Sequence, residues 1–329
     1  MFAAALHLTA EGTLGKYRGP LRAAHPWTWK EARAQHICFG DDAAAFITTP
    51  WGWVLATGRL DVPLAHNAGE IAAHIANLHT TSRAPEAWLA DLRGAFAFAI
   101  WNEPKQTLYC VRDHFGVEPL YYLHEGDVFA FASESHLLRP LAHDPRIDKE
   151  YLAEYLLAVN TRPQRTIYAA VNTLLGATLL ELRRKHLTLR RYWTPKPKLT
   201  ERHAPLSMHI AALRETFRRA VHRRVGDKTA LGLSAGLDSG SIAAFLPPRD
   251  KPYPAITLHF PNSDADETHL MGAYATDPRL AWHKLEELPR VADSERQLLH
   301  PDGPAIEPNA MFFLALTAAA AQLDSTIFL

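Results

Sequence analysis

Apolar and polar residues are patterned differently in the first and second parts of the chain. Up to about residue 125, short apolar or alternating runs are bounded by turn residues, which predicts β-strands. These runs are residues 44–48, 51–57, 94–101 and 107–111. Ile71, Ile75 and Leu78 recur at helical spacing, so residues 69–78 are predicted to form a helix. We therefore expect an antiparallel sheet domain with helices packed against it.

A hairpin is predicted just beyond these runs. Apolar residues 119–123 and 128–132 flank the polar sequence His124-Glu125-Gly126-Asp127, where glycine favours a tight turn. The hairpin extends the antiparallel part of the chain.

From residue 195 the pattern changes. A polar, proline-dotted linker is followed by a predicted helix, residues 208–225, with Ile210, Leu213, Phe217 and Val221 on one face. Buried strands are predicted at 229–233, 254–260, 279–289 and 325–329, and a further helix at 310–321. Such strands, alternating with helices, predict a parallel α/β sheet.

The candidate chemistry lies between the first of these strands and the next predicted helix. The strand at 229–233 leads into the small-residue sequence SAGLDSGS, residues 234–241, and a helix is predicted from 242 until two prolines stop it at 247. Small residues let backbone N–H groups and a helix dipole approach a phosphate closely. The alternative interpretation is an ordinary strand-to-helix turn with a serine N-cap.

Side chains in this loop suit a metal-bound phosphate. Ser234, Ser239 and Ser241 offer hydroxyl donors. Asp238 would be repelled by a bare phosphate, which indicates a Mg²⁺ ion between the two. No Gly-Lys-Ser/Thr sequence closes the loop, so it is not a Walker A motif.

Composition excludes several other classes. The chain has 329 residues, enough for two domains, and its 35 basic and 35 acidic residues balance, so no global basic field predicts nucleic-acid binding. Cys38 and Cys110 are the only cysteines, too few for a disulfide scaffold or a zinc site. No signal peptide or run of transmembrane length is present, so we expect a cytoplasmic protein without membrane partners.

The loop resembles the PP-loop of ATP pyrophosphatases, whose pattern is Ser-Gly-Gly-x-Asp-Ser-Ser/Thr. Ser234, Gly236, Asp238 and Ser239 match it. Ala235 replaces the first glycine, and would cost about 1 kcal/mol if that position needs a positive φ.

One further position departs from the PP-loop pattern. Gly240 replaces the final hydroxyl residue, and Ser241 is the candidate to supply that hydroxyl one residue later.

A longer resemblance precedes the loop. Residues 94–122, GAFAFAIWNEPKQTLYCVRDHFGVEPLYY, resemble the glutaminase domain of the asparagine synthetase family, which carries G-x-F-A-F-x-x-W-D and then R-D-x-x-G-x-x-P-L-Y-Y. The FASES sequence at 131–135 and the region 166–193, similar to the family's link into its synthetase domain, continue the likeness. The matching positions in the first segment are Gly94, Phe96, Ala97, Phe98, Trp101, Arg112, Asp113, Gly116, Pro119, Leu120, Tyr121 and Tyr122.

The resemblance implies an α/β protein of two domains. Residues 1–195 are expected to form an Ntn-hydrolase-like, glutaminase-type αββα sandwich. Residues 205–329 are expected to form the first portion of a parallel-sheet PP-loop domain. The resemblance also implies that roughly half of that second domain would follow residue 329, and we expect the chain to be a fragment of a longer ligase.

Glutamine cleavage itself is not expected. The family uses a cysteine directly after the initiator methionine, with its own α-amino group as the base. Phe2 occupies that position, and an internal cysteine has no free α-amine. The family's oxyanion segment, Asn-Gly-Glu-x-Tyr-Asn, corresponds to residues 57–62, which keep only Gly58.

The reaction implied by the resemblance is carboxylate activation with ATP and Mg²⁺. The carboxylate attacks the α-phosphorus, pyrophosphate leaves, and an amine attacks the acyl-adenylate. Asp238 is the expected catalytic residue and Mg²⁺ ligand. The expected nucleotide-binding residues are Ser234, Ala235, Gly236, Leu237, Asp238, Ser239, Gly240, Ser241, Ile256, Thr257 and Leu258.

Several substrates remain open. Glutaminase-deficient relatives such as β-lactam synthetases and lasso-peptide macrolactam cyclases use an amine already on the substrate. We favour a lasso-type cyclase, with a precursor peptide and its leader-processing protease as partners. The alternatives are an asparagine synthetase acting on aspartate, a non-catalytic scaffold, and a PP-loop enzyme acting on tRNA, which the absence of a basic patch disfavours.

Two smaller predictions concern residues beyond the loop. Asp264 or Asp266 is expected to cap the helix after the second parallel strand. The turn-rich segment 301–309 is similar to loops that border the acceptor site in the family.

Overall fold

The computed structural model describes residues 1–7, 23, 27, 29–32, 36–61, 67–81, 85–197, 203–264, 266–286, 301–303, 310–325 and 327–328. The chain divides into two compact units, Met1–Lys196 and Pro197–Leu329. Each unit is described by itself. None of the helices in the described ranges has the length and apolar character needed to cross a membrane.

The first unit is built on two antiparallel sheets of six strands each. Numbered in chain order, the strands β1 to β12 are Phe2–His7, Trp29–Ala32, His36–Gly40, Ala44–Thr49, Gly52–Leu60, Gly94–Asn102, Thr107–Arg112, Tyr121–Glu125, Val128–Ala132, Asn172–Thr173, Thr178–Arg183 and His186–Arg191. One sheet has the order β10-β8-β9-β1-β3-β2, and the other the order β12-β11-β7-β6-β5-β4.

The two sheets pack face to face because their strands present apolar side chains on both faces. Alternate residues of β1, such as Phe2 and Ala4, point into the core between the sheets, where they meet Trp53 and Trp101 of the other sheet. The intervening residues, such as Ala3, pack on the outer side.

Helical segments cover the outer faces. Helices α1 (Ala68–Thr81) and α2 (Glu86–Leu89) pack against the β5–β6 sheet, and the 3₁₀ turns Ser135–Leu137 and Arg139–Leu141 pack against the β1–β9 sheet. Helix α3 spans Lys149–Leu156. The expected αββα sandwich is therefore confirmed.

The predicted strands and the helix of this unit are confirmed to within a few residues, with one correction. Residues 166–193 do not form a link, because β11 and β12 complete the second sheet beside β7. Leu179, Leu180 and Leu182 are buried there, so both faces of β11 are held by the sandwich.

The second unit is a parallel sheet with helices on both faces. Its strands are β13 (Thr229–Gly232), β14 (Tyr253–Leu258), β15 (Leu280–Leu285) and β16 (Ile327–Phe328), in the order β15-β14-β13-β16. Its helices are α4 (Leu206–Arg224), α5 (Leu237–Ala244), α6 (Gly272–Ala275) and α7 (Ala310–Gln322), with a 3₁₀ turn at Thr268–Leu270. Every pairing in the sheet is parallel.

Alternation along the strands divides this core in two. Leu231 and Ala255 face Val221 of α4 and Ala243 of α5. Ala230, on the opposite face, packs with α7. The sheet is thus covered on both sides, as parallel sheets require.

The apolar face predicted for α4 is only partly buried. Val221 is buried and Phe217 packs against the same core, but Ile210 and Leu213 are 56% and 69% exposed. Helical periodicity placed these residues on one face correctly, but it could not say how far along the helix the sheet extends.

Candidate functional site

The predicted phosphate loop lies at the carboxyl end of β13. Leu233 N–H donates to the Ile256 carbonyl at 2.9 Å, which carries the β13–β14 pairing one residue past the strand. Ligands of open parallel sheets bind outside the carboxyl ends of the strands. We call residues 234–239 the anion loop.

Helix α5 begins earlier than predicted. It starts at Leu237, with Gly236 as an extended N-cap residue, rather than at Ile242. The helix therefore includes Asp238, Ser239 and Ser241. Small residues such as Gly240 and Ala243 let its first turns pack closely against the core of the unit.

Two serines close the anion loop on itself. Ser239 Oγ accepts the Ser234 N–H at 3.1 Å and lies 3.0 Å from Ser234 Oγ. Ser234 Oγ in turn accepts the Gly236 N–H at 3.2 Å. These bonds fix the loop's shape before any ligand binds, and they keep both hydroxyls beside the helix N-terminus.

The first turn of α5 carries open backbone donors. Gly240 is the first helix residue whose N–H is bonded, to the Gly236 carbonyl at 3.2 Å. Within the described ranges, no acceptor lies against the N–H groups of Leu237, Asp238 and Ser239. Three consecutive N–H groups at the positive end of a helix dipole form an anion-binding arrangement.

Ala235 fits the loop without strain. It is absent from the non-glycine residues with positive φ, so the conditional cost foreseen from the sequence does not arise. Its N–H donates to Glu267 Oε2 at 3.0 Å, and the two residues are 32 positions apart. A carboxylate thus already binds one donor of the anion loop.

Asp238 suits a cation that accompanies a phosphate. It is exposed in the first turn of α5, and no described residue bonds its carboxylate. Carboxylate oxygen is a preferred ligand of Mg²⁺, which usually binds one or two carboxylates together with phosphate oxygens. The residues present therefore fit a magnesium ion brought by the ligand.

Gly240 and Ser241 are the two positions concerned in the departure from the motif, and the structure gives the surroundings of each. A Cβ built at Gly240 would lie 2.2 Å from Tyr274 Oη, so the space of a side chain at this position belongs to Tyr274. Ser241 is exposed and bonds no other described residue of the loop. The hydroxyl that lies beside Ser234 Oγ belongs to Ser239, and a phosphate-binding role for Ser241 stays a prediction.

Two of the three residues predicted to bind the nucleotide from the next strand, β14, are buried. Ile256 and Thr257 are 1% and 2% exposed. Thr257 Oγ1 accepts the Trp282 indole N–H at 2.9 Å, which ties β14 to β15. Leu258, at the end of β14, is the third predicted nucleotide-binding residue of this strand, and its side chain is only half-buried.

Asp266 has a different role from the predicted cap. Its carboxylate accepts from the Thr268 hydroxyl at 2.6 Å and the Phe260 N–H at 3.2 Å, and it lies 2.9 Å from His259 Nδ1. The Thr268 bond, with those of His259 and Phe260, holds the pKa of Asp266 below its usual range. The capping prediction was wrong because the carboxylate turns back to the end of β14.

Position 2 in the first unit is part of the core. Phe2 is 1% exposed, its ring packs edge-on against Phe131 at 6.1 Å, and its N–H donates to Ser133 Oγ at 3.0 Å. The side chain points between the sheets and carries no thiol or hydroxyl.

Residues 57–60 of the segment predicted to lack the oxyanion sequence lie on β5, and residue 62 lies outside the described residues. Gly58 adopts φ +97°, and a Cβ there would lie 2.8 Å from Glu118 Cγ. Burial, and then the charge of Asp113, raises the pKa of Glu118. Thr57 is turned away from this point, because its hydroxyl donates to the Ala43 carbonyl at 2.9 Å.

The R-D-x-x-G sequence organises a turn. Asp113, 1% exposed, accepts the N–H groups of Phe115, Val117 and Glu118 at 3.1, 3.1 and 2.8 Å. Arg112 donates to the carbonyls of Gly116 and Glu118, at 2.6 Å each, and of Leu174 at 2.7 Å. These two residues stabilise the turn after β7.

Two protein-family models match the chain. A model described as a glutamine amidotransferase domain matches residues 76–193, and one described as asparagine synthase matches residues 212–329. The chain belongs to the asparagine synthetase family. Among curated members, glutamine-hydrolysing asparagine synthetase 3 of Bacillus subtilis is 30% identical over 197 residues, covering 58% of this chain and 31% of the relative. Synthetase 1 of the same organism is 33% identical over 158 residues, covering 47% of this chain and 25% of the relative.

This asparagine synthetase family member covers less than a third of the length of either relative. Among solved structures, the glutamine PRPP amidotransferase from B. subtilis is 12% identical and covers 86% of this chain and 74% of that chain, with a TM-score of 0.31.

Sequence reasoning missed two features of this family member's site. The Glu267 contact with Ala235 joins distant residues, and its only sequence signal was the acidic run NSDADE after β14. The His259–Asp266 pair gave no signal, because a single histidine at a strand end is common.

Proposed function

We propose that this chain belongs to an ATP-dependent ligase that adenylates a carboxylate, releases pyrophosphate and joins the acyl group to an amine. The observation that carries the proposal is the anion loop. It places three open N–H donors, two paired serine hydroxyls and the exposed Asp238 at the carboxyl end of a parallel strand. The family of the matching models supports the same chemistry.

Different groups of the anion loop act on different parts of the reaction. The N–H groups of residues 237–239 meet the charge that grows on pyrophosphate as the α-phosphorus–oxygen bond breaks, and the fixed loop costs no reorganisation at that moment. Magnesium, when bound, would be held through Asp238 and would neutralise part of that charge. The amine then attacks the acyl carbon, and AMP leaves with the bonding electrons.

We further propose that the amine is already part of the substrate. Phe2 offers no nucleophile for glutamine cleavage, and its side chain is buried between the sheets. Ammonia would therefore not come from glutamine in this unit. A macrolactam cyclase of the lasso type fits this condition, with a precursor peptide and its leader-processing protease as partners.

The loop assignment is tested by calorimetric binding of ATP and of pyrophosphate with Mg²⁺. We expect the unaltered protein to bind both, and Asp238→Asn to weaken binding by about tenfold or more, since it removes the metal's carboxylate. Asp250→Asn removes an equal charge from an exposed position before β14 and is the matched control. Equal binding by all three proteins would contradict the assignment.

The names of the curated relatives favour a second candidate, conversion of aspartate to asparagine. Aspartate-dependent pyrophosphate release with ammonium, but not with glutamine, would support it. Release that requires a peptide with both a free N-terminus and an acidic side chain would support the cyclase. Release with glutamine as the sole nitrogen source would contradict the role given to Phe2.

A further inference from the structure

Glu267 occupies one donor of the anion loop. Its Oε2 accepts the Ala235 N–H at 3.0 Å, from a loop that follows the neighbouring strand β14. Ala235 precedes the open N–H groups of residues 237–239 in the same loop. Its N–H is therefore a backbone donor of the loop that Glu267 withholds from an anionic ligand.

The backbone around Glu267 is held in place. Its carbonyl accepts the Leu270 N–H at 2.9 Å, at the start of the 3₁₀ turn. The preceding Asp266 is tied to Phe260, Thr268 and His259, and its own N–H donates to the Ser263 carbonyl at 3.0 Å. The backbone that carries the Glu267 carboxylate is therefore held in position by hydrogen bonds.

The anion loop carries one carboxylate, that of Asp238, and binds a second, that of Glu267. A free pyrophosphate would have to displace Glu267 from the Ala235 N–H and would also meet Asp238, which is exposed in the first turn of α5. Both interactions are repulsive for the bare anion. A magnesium complex carries less negative charge, and its cation is attracted to the same two acids.

We propose that Glu267 is an internal competitor for the anion loop, and that it makes the loop select magnesium pyrophosphate over the free anion. The inference rests on the proposed function of the loop. Glu267 is thus a specificity residue. Removal of its charge is expected to raise the affinity for free pyrophosphate more than the affinity for magnesium pyrophosphate.

The test measures pyrophosphate affinity by calorimetry, once with Mg²⁺ and once with EDTA. The unaltered protein is compared with Glu267→Gln, which keeps the size of the side chain and removes its charge. Asp264→Asn is the matched control, since Asp264 is an exposed acid of the same loop and bonds no described residue. The measured quantity is the ratio of the affinity with Mg²⁺ to the affinity in EDTA.

We expect the ratio to fall about fivefold in Glu267→Gln, mainly through tighter binding of free pyrophosphate, and to stay constant in Asp264→Asn. An unchanged ratio, or an equal fall in both variants, would overturn this inference and leave the proposed function standing. Absence of pyrophosphate binding in every protein and condition would overturn both.

A ligand-free measurement tests the contact itself. Amide hydrogen exchange at Ala235 is expected to be several-fold faster in Glu267→Ala than in the unaltered protein, because the N–H loses its acceptor. Exchange in Asp264→Ala should not change. Equal exchange at Ala235 in all three proteins would overturn the competitor role, whatever the outcome of the binding experiments.

Discussion

At the residue scale, one contact explains why a glycine stands at position 240, where the loop pattern has a serine or threonine. Gly240 is buried in α5, and the space that a side chain would need is taken by Tyr274 Oη. That hydroxyl bonds no residue in the described part of the chain. The effect of a substitution at Gly240 on stability therefore depends on the side chain at position 274, and the reverse also holds.

Gly240→Ala is expected to destabilise the protein by about 1–3 kcal/mol, because the new methyl group overlaps Tyr274 Oη. In a Tyr274→Phe background the nearest ring atom lies 3.4 Å from that methyl group. The same change should then be neutral or stabilising by up to about 1 kcal/mol, the helix preference of alanine over glycine. Urea unfolding followed by circular dichroism gives the four free energies. Additive effects would show that the two residues do not interact.

At the element scale, the turn after β7 depends on one buried carboxylate. Asp113 satisfies three backbone N–H groups of the segment that leads to β8, and Phe96 N–H lies 3.4 Å from the same group. Backbone donors buried without acceptors are costly, so the turn needs an acceptor with two oxygens at this point.

Asp113→Asn is expected to lower the free energy of unfolding by about 2–4 kcal/mol, since it removes charge-assisted bonds and points an amide donor at backbone donors. Asp91→Asn, at an exposed position of the same unit, is the control and should change little. Urea denaturation followed by tryptophan fluorescence measures both. A loss equal to that of the control would mean that water supplies the missing acceptor.

The anion loop is likewise a property of an element. Its donors exist because α5 begins at Leu237, which leaves the first N–H groups of the helix without intrahelical partners. Had the helix begun at Ile242, as the residue pattern predicted, its free N–H groups would follow both of the paired serines, Ser234 and Ser239. The start of the helix therefore decides which residues can hold an anion.

At the scale of the whole molecule, the first unit contains three histidines whose burial opposes protonation. Burial is the main cause that lowers the pKa of His79, His114 and His124, all in the first unit. His79 also packs 4.8 Å from the ring of Trp51. In the unfolded chain these histidines have a pKa near 6.5, so they bind protons at a pH at which the folded side chains stay neutral.

Because the unfolded state then binds more protons, the stability of the first unit should fall as the pH drops through about 6.5. Seven of the eight tryptophans lie before residue 197, so fluorescence reports mainly this unit. We expect its melting temperature to fall by a few degrees between pH 7.5 and 5.5, and less in His79→Gln. His186→Gln, at an exposed position, is the control. An identical pH dependence in all three would exclude His79 as a contributor.

Much of this arrangement could be predicted from local patterns. Alternating runs located β4 to β7, and the Gly126 turn located the β8–β9 hairpin. The anion loop was found from the predicted strand at 229–233 and the small-residue sequence 234–241 before a predicted helix, because a strand, small residues and a helix are local features. The strands β11 and β12 were not predicted, because residues 166–193 were interpreted only through their resemblance to a link, which does not say which sheet receives them.

The sequence alone determined the class of each unit, the anion loop and the absence of a nucleophile at Phe2, because periodicity and residue chemistry are local. The tertiary structure alone decided that Glu267 reaches Ala235, that Tyr274 fills the space beside Gly240, and that Asp266 turns back to β14. The first two contacts join residues far apart in the chain, and the third fixes how a loop folds back on its strand. They depend on strand order and register, which local patterns do not specify.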